Sequence, residues 1–115
     1  MKNPVQISLR GIPHSDALES YIGEESRKLD QFCNRIVSCH LAAERLHAPG
    51  RRQFVVTLNL TLPGTALAVN RDHEMDIYIA VRSAFEAAGR QLKDYMRRVT
   101  HVEHRSRNGK VAPPR

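Results

Sequence analysis

The chain has 115 residues, enough to bury one modest core and too few for two domains. Its 18 Lys and Arg outweigh 12 Asp and Glu to give a net charge of +6, which favours nucleic acid or another anionic surface as partner. Two cysteines make no disulfide framework, no run of apolar residues reaches membrane-span length, and the start carries no signal-peptide pattern, so a reducing cytosol is expected.

Val5 to Arg10 alternates apolar and polar residues, which predicts a strand closed by Gly11 and Pro13. Ser15 or Asp16 then offers an N-cap, and Asp16 and Glu19 fall near the positive end of the helix dipole. Leu18, Tyr21, Ile22, Leu29 and Phe32 give this first helix its buried stripe, with Glu25 on the same side near an edge, and Asn34 ends it. Arg35 to Leu46 reads as a second strand. Ala48-Pro49-Gly50 supplies a turn with Arg51 and Arg52 at its exit. Phe54, Val56, Leu58, Leu60 and Leu62 alternate with Val55, Thr57, Asn59 and Thr61, the pattern of a half-buried third strand. Pro63-Gly64 makes a tight turn into a fourth strand, Thr65 to Arg71, with Leu67 and Val69 on one face.

Asp76 to Arg98 predicts a two-faced helix. Ile77, Val81, Ala84, Phe85, Ala88, Leu92 and Tyr95 recur at three- and four-residue steps on one stripe. Arg82, Arg90, Lys93 and Arg97 fall on the opposite side, with Glu86 among them. Charges spread in this way over several turns match a regularly charged polymer. The bland alternative is a solvated face with Glu86–Arg90 and Arg90–Asp94 pairs. From Thr100 to Arg115 the apolar pattern dissolves and basic residues dominate, which predicts a flexible basic tail after a domain of residues 1–99.

The order β-α-β-β-β-α requires a crossover between the first two strands, placing them parallel or as separated neighbours, and allows an antiparallel meander for the rest. The fold class is therefore an α/β (α+β) two-layer sandwich, a four-stranded mixed sheet with both helices on one face. Enzymatic readings fare poorly. Asp72, His73, Glu74 and Asp76 sit on one strand-to-helix connection, where helix capping explains acids better than a catalytic or metal centre. Cys39 and His40 are strand neighbours that point to opposite faces, and with Cys33 and His47 they match no zinc spacing. No glycine-rich phosphate loop is present. No catalysis, cofactor, metal or small-molecule substrate is expected.

Ile12-Pro13-His14-Ser15-Asp16-Ala17-Leu18, Tyr21-Ile22, Lys28-Leu29-Asp30-Gln31-Phe32 and Arg35-Ile36, followed by Leu62-Pro63-Gly64, Val69-Asn70-Arg71, Asp76-Ile77-Tyr78-Ile79-Ala80-Val81 and Arg90-Gln91-Leu92-Lys93-Asp94-Tyr95, form an ordered set over residues 5 to 98. That set resembles the bacterial ribosome hibernation factors, the ribosome-associated inhibitor (protein Y) and hibernation-promoting family. The resemblance implies a layout like that of double-stranded RNA-binding domains. It also implies binding to 16S rRNA in the cleft of the small ribosomal subunit, over the messenger and transfer RNA sites, so that translation stops in stress or stationary phase. The last-helix residues Arg82, Arg90, Lys93 and Arg97 stand where the family carries basic residues facing rRNA. Arg98 lies about 100° further round the helix, and Arg71 and Lys28 extend the candidate surface. Long members carry a second, dimerising domain; this chain resembles the short class, expected as a cytoplasmic monomer off the ribosome. The alternatives are a protein-interaction module that modulates an alternative sigma factor and a general structured-RNA binder.

Overall fold

The computed structural model of the chain describes residues 4–48, 51–73 and 75–107. Elements follow in the order β1 (Gln6–Arg10), α1 (Asp16–Phe32), β2 (Ser38–Ala48), β3 (Arg51–Leu62), β4 (Thr65–His73) and α2 (Ile77–Arg107). The strands form one sheet in the order β1-β2-β3-β4. β1 runs parallel to β2, from Gln6 opposite His40 to Arg10 opposite Glu44, so α1 is the crossover that parallel neighbours need. β2, β3 and β4 form the expected antiparallel meander. Pro63 presets its φ at the last reversal and Gly64 takes the positive φ (78°) that the turn demands.

Register decides which residues meet. Ile7 lies opposite Leu41, Leu41 opposite Leu58, and Leu58 opposite Val69. Residues directly opposite share a face, so these four make one continuous apolar row across the sheet. Both helices lie on that face. Leu18, Ile22 and Leu29 of α1 and Val81, Ala84, Phe85, Ala88, Leu92 and Tyr95 of α2 join Leu41, Val56, Leu58, Leu60 and Val69 in one buried cluster. The other face is polar and uncovered by helices. Across it the Ser8 hydroxyl bonds the His40 ring (2.9 Å), Thr57 donates to Asn70 Oδ1 (2.7 Å) and Gln53 donates to Asp72 Oδ2 (2.8 Å).

Gly11 leaves β1 at a positive φ of 70°, and a Cβ there would come within 3.4 Å of the Arg45 carbonyl on β2. The conformation is what calls for glycine, since the contact with Arg45 would be an ordinary van der Waals one. Ser15 is the N-cap of α1: its backbone is extended and its hydroxyl accepts from the Leu18 N–H at 3.2 Å. The helix ends at Phe32 rather than Asn34, with Cys33 returning its N–H to the Leu29 carbonyl at 2.8 Å.

Two expectations need correction. Phe32 is 46% exposed and does not complete the buried stripe of α1; that stripe runs Leu18, Ile22, Ser26, Leu29 and Cys33. Ser26, 3% exposed, fits because its hydroxyl donates to the Gly23 carbonyl at 3.0 Å and so brings no unpaired polar group inside. The second correction concerns the end of the chain. α2 continues to Arg107, so residues 100–107 of the expected tail are helical, and 108–115 lie outside the described residues. A shortage of apolar residues argues against packing but not against extending a helix already nucleated, since each further residue adds a hydrogen bond. Among the described residues, no helix is long and apolar enough to cross a membrane.

Candidate nucleic-acid interface

α1 and α2 lie side by side, and their facing edges follow the same rhythm. On α1, Tyr21, Glu25, Lys28 and Phe32 recur at steps of four, three and four; on α2, Arg82, Glu86, Gly89 and Lys93 do the same. Such steps keep residues on one stripe of a helix. The stripe on α1 is rotated just off the buried one, so it looks along the sheet toward α2. Tyr21 and Tyr78 close one end, their ring centroids 5.4 Å apart and tilted by 56°. Toward the other end the helices bound an open groove of about 610 Å³, lined by Lys28, Phe32, Gly89, Arg90 and Lys93, with Glu25 and Glu86 also on its walls.

Electrostatics along the groove are mixed but lean basic. Lys28 pairs with Glu25 at 3.0 Å, and that hydrogen bond raises the lysine pKa. Burial and then the Glu25 carboxylate push the Tyr21 phenol up, while Arg82 and Lys28 pull it down. Residues of both helices therefore feel one another's charge across the cleft. Arg97, one turn beyond Lys93, makes an exposed pair with Asp94 at 3.8 Å, a type of interaction worth little in water. Among the described residues, no ion pair involves Arg82, Arg90 or Lys93. The intrahelical pairs Glu86–Arg90 and Arg90–Asp94 do not occur there; Asp94 turns to Arg97 instead.

Of the seven basic residues that sequence reasoning singled out, the structure brings Lys28, Arg90 and Lys93 into one groove. Arg82 and Arg97 continue the same exposed side of α2 before and after it. Arg71 and Arg98 do not join them. Arg71 lies opposite Val56 on the edge strand β4, half-buried, with its guanidinium donating to the Asn70 carbonyl at 2.7 Å. Arg98 is exposed on another side of α2. β3 already begins at Arg51, so Arg51 and Arg52, expected at the exit of a turn, are the first residues of a strand. Sequence reasoning missed Phe32 as a groove wall. The matching steps on the two helices were the available signal.

The acidic connection before α2 is a cap. The Asp76 carboxylate accepts from the Tyr78 N–H at 2.8 Å, and His73 Nδ1 accepts from the backbone N–H groups of Met75 (3.2 Å) and Asp76 (3.1 Å). Asp72 instead accepts from Gln53 on the outer sheet face, and Glu74 lies outside the described residues. Cys39 is buried against the helices while His40 bonds Ser8 on the opposite face. Among the described residues, no cluster of three or more His, Cys, Asp or Glu side chains is placed to hold a metal ion.

Residues 5–100 match the family model described as Sigma 54 modulation protein / S30EA ribosomal protein. The chain belongs to this family. Its fold is similar to that of a ribosomal subunit interface protein from Coxiella burnetii, with a TM-score of 0.69 and 20% sequence identity, covering 80% of this chain and 96% of that one. It is also similar to the N-terminal domain of Protein Y from Thermus thermophilus, with a TM-score of 0.64 and 19% identity, covering 78% and 94%. No curated protein sequence matches the chain. At these identities the structural likeness speaks for the fold, and the family membership rests on the match along nearly the whole chain.

Proposed function

We propose that this chain is a cytoplasmic, ribosome-associated translation inhibitor. It binds 16S rRNA in the messenger and transfer RNA cleft of the small subunit and holds ribosomes idle under stress or in stationary phase. The single observation that carries this reading is the convergence of Lys28 from α1 with Arg90 and Lys93 from α2 on one groove, extended by Arg82 and Arg97. Cations fixed on two packed helices meet several phosphates at once, and each neutralised phosphate releases counterions. Family membership and the structural relative named as a ribosomal subunit interface protein support the same partner. The mechanism is occlusion: a compact body held by shape and charge leaves no room for messenger or transfer RNA, and no bond is made or broken. Arg71 and Arg98 are peripheral to the interface in this reading, and the protein acts as a monomer.

Co-sedimentation with purified small and large subunits, at low and raised salt, tests the proposal. Saturable pelleting with the small subunit, weakened by salt and lost in an Arg90→Glu/Lys93→Glu/Arg97→Glu variant that still folds, is expected. The family description also names sigma-54 modulation. Absence of small-subunit pelleting at low salt, together with a protein partner that survives nuclease treatment, would replace the ribosomal reading with that one.

A further inference from the structure

Phosphate binding needs cations, but it does not need an exposed aromatic ring or a glycine on the helix wall, and the α1–α2 groove has both. Phe32 closes α1 with 46% of its surface in solvent and lies on the groove wall beside Lys28. Facing it on α2 is Gly89, a residue that weakens a helix interior. The protein's own packing gives no reason for glycine there, since an added Cβ would meet nothing within 4 Å. The open space lies on the groove side, so a methyl group would reduce what can approach the helix from outside.

We infer that this groove takes an unpaired RNA nucleobase, stacked on the Phe32 ring over the half-buried backbone at Gly89, with Lys28, Arg90 and Lys93 receiving its flanking phosphates. The inference rests on the RNA-binding reading above and adds the state of the RNA that the site selects. A base inside a duplex offers no free face, whereas a splayed base offers a flat ring that stacks on an aromatic side chain. The groove, at about 610 Å³, is open enough to admit a base together with part of its sugar and phosphate. Its two carboxylates suit a base better than a bare polyanion. Glu25 is held by Lys28 at 3.0 Å, and Glu86 on the opposite wall offers oxygens to the N–H groups of a base edge.

Three probes of matched phosphate number separate stacking from charge: a single-stranded RNA octanucleotide, a short RNA duplex and inorganic polyphosphate, each titrated against the full chain. The single strand is expected to bind at least about fivefold more tightly than polyphosphate, the smallest effect of one base–aromatic stack. Phe32→Leu, which keeps an apolar side chain at an exposed site, should abolish that advantage while leaving polyphosphate affinity unchanged. Gly89→Ala should raise the melting temperature and still weaken the single strand. An equal preference for all three probes, or an RNA-to-polyphosphate ratio that Phe32→Leu leaves intact, would overturn the inference. Small-subunit pelleting reads the broader proposal separately: failure of the wild type to pellet sinks ribosome binding, whereas an unchanged ratio in Phe32→Leu sinks only the stacked base.

Discussion

Cys39 faces the helices from β2 with its thiol pushed up to about 12 by burial, and Cys33 is also buried. A thiolate is the reactive form, which Cys39 resists forming, and burial keeps the reagent from Cys33, so neither side chain should be alkylated by iodoacetamide at pH 8 in the native protein. Both should react once the chain is unfolded, and mass spectrometry after a short pulse distinguishes the two states. His14 titrates in the opposite sense to a buried group. Hydrogen bonding to Asp16 at 3.0 Å and the charge of Glu19, which bonds it at 2.8 Å, raise its pKa above the usual 6.5. A raised folded pKa means the imidazolium is favoured in the native state. Its contribution is complete below about pH 6.5 and fades as pH rises through the folded value. NMR titration should place His14 above an unfolded-peptide histidine, and Asp16→Asn should bring it back down. An unshifted titration would contradict the bridge at the start of α1.

Within α1, the Ser15 hydroxyl satisfies the Leu18 N–H, one of the donors left over in the first turn. Ser15→Ala should cost about 0.5–2 kcal/mol, read as a lower urea midpoint with unchanged slope. Leu58 is fully buried at the centre of the apolar row across the sheet, and Leu58→Ala should cost about 2–5 kcal/mol in the same experiment. These elements were legible because the period of apolar residues states both the element type and its covered face. The alternation from Phe54 to Leu62 marks β3 and its buried side, and the three- and four-residue steps from Ile77 to Tyr95 mark the covered side of α2. Two things were not legible. Ser26 looks polar in sequence yet sits on the buried stripe, because its hydroxyl finds the Gly23 carbonyl one turn back. Phe32 looks like core yet stands out, because Leu29 and Cys33 already occupy the covered positions around it. The candidate site shared this fate. Its α2 half followed from one helix, while the pairing of Lys28 and Phe32 with Gly89, Arg90 and Lys93 depends on how two helices lie together.

At the scale of the whole molecule, the two layers present unlike surfaces. The helical side carries Lys28, Arg82, Arg90, Lys93 and Arg97, and the bare sheet face carries short polar residues bonded to one another. A protein with a net charge of +6 and no oriented face would bind any polyanion equally well. Binding through the α1–α2 groove requires instead that the helical side meet the small subunit. The salt dependence of binding to purified small subunits tests this most directly, comparing the wild type with Arg90→Ala/Lys93→Ala/Arg97→Ala and with a control, Arg10→Ala/Arg27→Ala, that removes cations outside the groove. Each phosphate left without its cation should lower the slope of log K against log salt by about one. The expected result is a slope reduced by roughly two to three in the α2 variant and little changed in the control. Equal slopes in wild type and α2 variant, or an equal reduction in the control, would contradict binding through the α1–α2 groove.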